Sequence, residues 1–440
     1  YINSKDGQLN KYRIEYSNRL DKLPFNNALL TSTRAQGISL SSEFTKNTNS
    51  IFAVNYNFRQ IDVLRTNTNL RSENNHLLRV NHDARVRSGF VIVNTLYEVN
   101  TGQEPKRSFT YIQVPTGQGV YVHRDYNNNG VKEINEFEIA KYSYEADYIR
   151  VTLNNNEFVR TKGTVISQNI LIDPQRILSN AKGMLKLISH FSNQVNYKIE
   201  KKTLFDSKDN QFNPFDTKIN DTSLMTLNTQ FRESIFFKRT DPIFGAEYTY
   251  QTNRAKQLLN LGFDSRFTNE HIVRTRWNIF ARYSINLEMK LTEKNSSNET
   301  AIDRNYNLSG YSASPEFAIQ YNTSWRLAFI YRYQFIENKL AGAESSIQNK
   351  LGTELKYNSG GKTSFTANAN YINNNFIGNQ NSAISYEMLE ALQDGRNFTW
   401  AMNLQRNISE SFQLSVIYEG RNSETSRVIH SGSMQARAFF

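Results

Sequence analysis

The feature that most constrains this chain is a two-residue alternation of apolar and polar side chains, repeated in long segments along most of its length. In 397–406, Phe398, Trp400, Met402 and Leu404 share one face, while Thr399, Ala401, Asn403 and Gln405 share the other. In 411–421, Phe412, Leu414, Val416 and Tyr418 oppose Gln413, Ser415 and Glu419. In 326–336, Leu327, Phe329, Tyr331, Tyr333 and Phe335 oppose Arg332 and Gln334. The same pattern sets Ile285, Leu287, Met289 and Leu291 against Asn286, Glu288 and Lys290, and Phe52, Val54, Tyr56 and Phe58 against Asn55, Asn57 and Arg59. A period of two is that of a β-strand, whose successive side chains point to opposite faces.

Such strands suit a soluble sandwich, which hides its apolar face in a shared core, or a membrane barrel, which turns that face to lipid. Three features favour the barrel. The segments run to about 10–13 residues, enough for a tilted crossing of hydrocarbon. Bulky aromatics sit near segment ends, as interfacial girdles do. The polar faces carry whole Arg, Lys, Glu and Gln side chains, which suits a wet or plugged interior. The connections agree. Short turns at Asn47–Ser50, Val86–Gly89, Arg239–Pro242, Ala281–Ser284, Asn322–Trp325, Asn358–Lys362 and Asn407–Ser411 alternate with longer loops. The longer ones are read at 18–35, 63–75, 100–157, 204–222, 255–270, 296–314, 337–346, 377–396 and 422–427. Short periplasmic turns and long extracellular loops are the asymmetry of outer-membrane barrels.

The expected fold is therefore all-β, a transmembrane antiparallel β-barrel of about 18 strands, within 16–18. Its first strands fill 1–99, an extracellular insertion fills 100–157, and the remaining strands fill 158–440. Individual strands are expected at 10–17, 185–203, 271–280 and 315–321, among others, and 173–184 is long enough to hold a helical turn. The last strand, near 428–440, places Val428, Gly432, Met434, Ala436, Ala438 and Phe440 on one face and ends on an aromatic residue. That ending is similar to the recognition strand of bacterial outer-membrane proteins. The chain opens on Tyr1, and a processed protein or a piece of a longer one is expected.

Composition narrows the function. There is no Cys, so neither a disulfide framework nor a thiolate zinc site is available. Tyr and Phe number 24 and 28, too many for a disordered chain. The net charge of +11 is spread along the chain, and no localised platform of basic and aromatic residues suits nucleic acid. Six His residues stand at 76, 82, 123, 190, 271 and 430, outside any H-E-x-x-H pattern. No phosphate loop and no G-x-S-x-G elbow occurs. A non-enzymatic role is expected.

One stretch carries a ligand pattern. "RDYNNNGVKEINEFE", 124–138, places Asp125, Asn127, Asn129, Val131 and Glu136 at positions 1, 3, 5, 7 and 12 of an EF-hand-like loop, with Gly130 at 6. Calcium requires several hard oxygens: four from side chains, one from the Val131 carbonyl, and Glu133 through a water. Lys132 stands where paired EF-hands carry an aliphatic residue, and the preceding segment reads as a strand. A lone structural Ca2+ site of modest affinity, about 10⁻⁴–10⁻³ M, is the expected form. The alternative is a plain Asn-Gly turn in a surface hairpin. Within the same insertion, 107–114 and 119–125 read as a small hairpin and 147–153 as a third strand. In 377–396, Met388, Leu389 and Leu392 fall on one helical face with Asp394-Gly395 as its stop. That helix can plug the barrel, dock a partner, or pack beneath its own loop.

The segments "GQGVYVHRDYNNNGVKEINEFEIAKY", "DYIRV", "SYEMLEALQDGRNFTW" and "RNSETSRVIHSGSMQARAFF" together resemble the C-terminal part of a family of large, mostly uncharacterised outer-membrane proteins of Bacteroidota. The resemblance implies an outer-membrane location and no particular reaction. The expectation is an outer-membrane conduit for transport or export, or the membrane-embedded subunit of an envelope complex. A non-conducting scaffold of a secretion or barrel-assembly complex and a soluble extracellular binding module are the alternatives. Expected partners are outer-membrane lipid, lipopolysaccharide and other envelope proteins, and not nucleic acid.

Overall fold

The computed structural model describes the chain apart from residues 6, 26–27, 65–71, 206–211, 216–222, 260–261, 281, 300–301, 341–342, 425 and 440. The fold is all-β, and most of its long strands pair antiparallel with their neighbours in sequence. Among the described residues there are 21 strands, of which three are two or three residues long. The other eighteen run from 10 residues in Ile429–Ala438 to 25 in Tyr148–Ile172. The chain divides into two compact units: Tyr1–Ser108, Leu153–Ile235 and Gln251–Arg266 form the first, and Phe109–Thr152, Phe236–Tyr250 and Phe267–Phe440 the second.

In the first unit Asn10–Phe25 pairs with Ala28–Phe44, which pairs with Ser50–Val63, then Glu73–Val86, then Val91 onward. The register sets Tyr16 opposite Ile38 and Ile14 opposite Leu40. These four are exposed, so the apolar face is turned outward. A dry cluster of Ile199, Leu224, Leu227 and Phe263 forms farther on.

In the second unit eight strands from Tyr283–Asn298 to Ile429–Ala438 form one ladder of sequential neighbours. The register carries one apolar face across it. Leu291 faces Tyr311, Tyr311 faces Phe335, Phe335 faces Ile347, and farther along the strands Tyr331 faces Leu351 and Leu351 faces Tyr371. Cross-strand partners share a face, and Leu291, Tyr311, Tyr331 and Leu351 all lie exposed. Aromatics band this face near the short turns, where Trp325 and Tyr357 meet at 4.4 Å and Tyr283 and Phe317 stack at 6.0 Å. The opposite face is polar and covered: Gln348, Asn374 and Asn397 are buried and hydrogen-bonded.

Several expected loops are strands. The segment 18–35 is the upper half of a hairpin whose pairing continues to Phe25 and Ala28. Strand also replaces loop over most of 255–270, since Phe244–Leu259 and Gly262–Ile279 nearly meet. The expected strands at 271–280 and 315–321 begin earlier, at Gly262 and Tyr306, so 296–314 shrinks to the stretch between Asn298 and Tyr306. The cause is physical. Strand pairing is made by backbone groups, so the hydrogen-bonded ladder continues where the side chains cease to alternate. The turn expected at Ala281–Ser284 and the loops at 63–75 and 204–222 fall partly, and the terminal Phe440 wholly, outside the described residues.

One further correction concerns a helix. The strand expected from 185 begins at Phe191 instead, because Met184–Ser189 is helical after Gly183 at φ 62°. A short apolar run such as Leu185, Leu187 and Ile188 fits either period. The helical turn expected within 173–184 is present at Gln175–Leu178.

Candidate functional site

The insertion is shorter than 100–157. Strand continues to Gln113 and resumes at Tyr148, which leaves 114–147 between them. Its base is closed by the Val114 amide donating to the Asp147 carbonyl at 2.8 Å. The hairpin expected between 107–114 and 119–125 does not form. Tyr121–His123 pairs with Phe137–Ile139 on one side, and Tyr121 faces Tyr148 on the other. Aromatic packing selects this arrangement. Phe137 stacks on Tyr111 at 4.0 Å and meets Tyr148 edge-on at 4.9 Å, burying three large rings together.

The second component is the segment between Ile377 and Gly395. Ser382 caps the helix Ala383–Met388 by accepting from the Ser385 amide. The helix ends at Leu389, where Glu390 and Ala391 both adopt positive φ. The stop therefore precedes the expected Asp394-Gly395. Asp394 instead accepts from the Phe376 amide at 2.9 Å and ties the loop to the strand before it.

This helix has two occupied sides. Ile384, Met388 and Leu389 pack on Leu308 and Phe376, which belong to the covered, non-lipid face of the ladder. Tyr386 and Ala391 pack on Val122 of the insertion, with Ala140 and Tyr142 alongside. The helix is thus wedged between the strand wall and the insertion. Packing beneath its own loop, one of the alternatives the sequence left, is the arrangement observed.

Charged bonds surround the wedge. Glu387 accepts from Lys141 of the insertion at 2.7 Å and from Lys294 of the wall at 2.6 Å. Glu390 pairs with Arg332 at 2.8 Å and Glu138 with Arg304 at 2.7 Å. Arg421 donates to the Ala391 carbonyl at 2.8 Å, pairs with Glu145, and lies over the rings of Tyr142 and Tyr144. Burial disfavours the charge on Glu387, yet Lys294 and Lys141 outweigh it and hold the carboxyl below its ordinary range. Glu390 is likewise lowered, burial being outweighed by Arg332. The Tyr386 hydroxyl, raised to about 12 by burial, stays protonated and donates to the Ile139 carbonyl.

Sequence reasoning found the helix but not that these cations meet it. Arg332 was legible as polar-face, whereas Arg421, Lys141 and Lys294 carry no local signal that they converge on one helix.

The five calcium-pattern residues lie together in the insertion. The Asp125 carboxylate accepts from the amides of Asn129 at 3.2 Å and Gly130 at 2.9 Å, with Gly130 at φ 72°. The Asn127 side-chain oxygen accepts from the Asn129 amide, and that of Asn129 from the Val131 amide. Glu136, on a single 3-10 turn, folds back to accept from the Glu133 amide at 3.2 Å and meets His123 at 3.0 Å. The loop is tied to the helix segment, since the Asn381 amide group donates to the carbonyls of Asp125 and Tyr126. Elsewhere on the covered face of this unit lies a cavity of about 480 Å³, walled by Arg239, Arg274, Arg276, Glu247, Glu288 and Glu316.

No family model and no curated protein matches the chain. Solved structures of similar architecture exist. One is the FrpB iron transporter of Neisseria meningitidis, at 10% identity and TM-score 0.40, covering 97% of this chain and 68% of that one. Another is the ferric-catecholate import receptor Fiu of E. coli, at 9% identity and TM-score 0.35, covering 99% and 77%. A third is OccK11 of Pseudomonas aeruginosa, at 10% identity and TM-score 0.35, covering 98% and 95%.

Proposed function

We propose that the chain is a bacterial outer-membrane β-barrel serving as a transport or export conduit, whose polar passage is closed at one end by the wedge of helix and insertion. The observation that carries this reading is an inverted polarity. Exposed Leu and aromatic side chains form the outward face of the second unit, and buried Gln and Asn form the other. In water this arrangement is unfavourable on both counts, because apolar area is exposed and polar groups are desolvated. Against hydrocarbon it is favourable on both. The apolar face would meet outer-membrane lipid, with lipopolysaccharide at its rim. A soluble extracellular module does not account for it.

The test is conductance in planar bilayers. The wild-type chain is expected to be closed or nearly so. A chain with Glu387→Ala and Arg421→Ala is expected to open in discrete steps, since it loses the ties on both sides of the helix. If the folded double variant stays silent, the conduit reading fails. The non-conducting scaffold of a secretion or assembly complex then takes its place, and the density of ion pairs around the helix supports that second reading. Co-purification from native membranes in mild detergent would identify its partners.

A further inference from the structure

We infer that the loop Asp125–Glu136 is a calcium site that stiffens the insertion where it meets the helix Ala383–Met388. The inference does not depend on conduction. Among the described residues, no three acidic or His side chains gather at metal-binding distance. The loop reaches its donor count with amide and carbonyl oxygens instead, as hard-cation loops do. Asp125, Asn127 and Asn129 each turn a side-chain oxygen back onto backbone amides of the same loop. An oxygen accepting one such bond keeps a lone pair for a cation.

Those turns alone would describe any Asn-rich bend. The independent sign is Glu136. Only 1% of this residue is exposed, yet its Oε1 has no hydrogen-bond partner. Its other oxygen is held by the Glu133 amide, at the ninth position of the loop, and by His123. The orphan oxygen belongs to that same carboxylate. A desolvated carboxylate with one empty oxygen is costly. The sequence puts it at the twelfth position, where a calcium loop takes its carboxylate ligand. A cation held by Asp125, Asn127, Asn129, the Val131 carbonyl and Glu136 Oε1 would satisfy it. Glu133 already lies within reach of the Asn127 and Asn129 amides and is placed to act through a water.

The consequence is mechanical. The carbonyls of Asp125 and Tyr126 accept from Asn381, one residue before the helix cap Ser382. Fixing the loop therefore fixes the helix entry.

The experiment uses the full chain in detergent, stripped with EDTA and loaded with terbium, whose luminescence is sensitised by nearby tyrosines such as Tyr126. Calcium is expected to displace the terbium with a Kd near ~10⁻⁴–10⁻³ M, and magnesium at the same concentration far less well. Asp125→Ala and Glu136→Gln should each weaken binding about tenfold or more, while Asp241→Ala, in a turn elsewhere, should not. Should Glu136→Gln fail to fold, the exposed ligand Asn129→Ala supplies the same comparison. Calcium should also slow proteolysis within 114–147 in the wild type and not in Asp125→Ala. Absence of calcium-specific displacement up to about 10 mM by the folded wild type, or equal binding by the folded variants, overturns the site.

Discussion

Gln348 and Leu351 lie three residues apart on one strand, and their surroundings are the reverse of what a soluble protein would give them. The polar Gln348 is 2% exposed, donating to Asn374 and accepting from Arg332, while Leu351 is 58% exposed between Tyr331 and Tyr371. The strand's pleat sends odd-numbered residues to one face and even-numbered residues to the other, so each residue samples a different solvent. Along the inner face, burial is achieved by hydrogen bonds and ion pairs, as with Arg326 between Glu316 and Glu354. Along the outer face Leu291, Tyr311 and Leu351 lie exposed among the described residues, which suits the lipid of the proposed membrane setting. A dry exception on the inner face of the second unit lies where Leu308 and Phe376 receive the helix Ala383–Met388.

That exception offers the largest expected effect. Met388 is 1% exposed in the cluster with Leu308 and Phe376. Met388→Ala should cost about 2–5 kcal/mol of local stability, the range for emptying a packed Met site. The loss should fall on the wedge and not on the ladder. Hydrogen exchange should rise in 378–394 and 114–147 while the strands from Tyr283 to Ser423 stay protected. Uniform loss of protection would show that the helix belongs to the barrel's own core.

Leu351→Arg tests the outer face. A cation placed against lipid near the middle of a crossing costs about 2–4 kcal/mol, read as a lower midpoint in reversible folding into lipid vesicles. An unchanged midpoint would mean that this face meets water and would remove the membrane reading. Gln348→Ala should cost less, about 1–3 kcal/mol, for the partners left unpaired at Asn374 and Arg332. If the two substitutions ranked in the opposite order, the assignment of the faces would be reversed.

The sequence made the ladder legible because an exposed apolar face on one side and polar packing on the other force a strict alternation. Phe398, Trp400 and Met402 already show it, and the eighteen long strands follow from its repetition. It under-read the strands' lengths at residues such as Asp21 and Lys22, where the pairing persists in a watery setting. Lengths of strand beyond the hydrocarbon are fixed by backbone partners, which leave no mark on side-chain choice. The helix at 383–388 was legible from Met388 and Leu389. Its partners were not, because Lys141, Lys294, Arg332 and Arg421 reach it from four separate segments. The loop at Asp125 was the most legible part of the site, its ligand spacing being local, while the burial of Glu136 beside His123 depends on contacts made only in the fold.

The smallest effect is the one that separates the wedge from the ladder by charge alone. Glu387 and Glu390 have carboxyl groups held below their ordinary range, burial being outweighed by Lys294 and Lys141 in one case and Arg332 in the other. The unfolded loop would protonate near pH ~4.3, the usual Glu value. Their contribution is therefore complete above that value and is lost as pH falls through the lower folded one. Lys141 and Lys294 are about a third exposed, at 34% and 36%. Screening then limits each pair to about 1 kcal/mol or less. The wedge should thus loosen only below about pH 4 and stay indifferent between pH 5 and 8. Proteolysis of 114–147 by an acid-active protease, followed from pH 6 to pH 3, should show a step in the wild type. The step should be reduced in a chain carrying both Glu387→Gln and Glu390→Gln, which would start looser and change less. An equal step in both chains would assign the acid response to other carboxylates, Glu138 and Glu145 first among them, since they tie the insertion to Arg304 of the 3-10 turn Ile302–Arg304 and to Arg421 of the ladder.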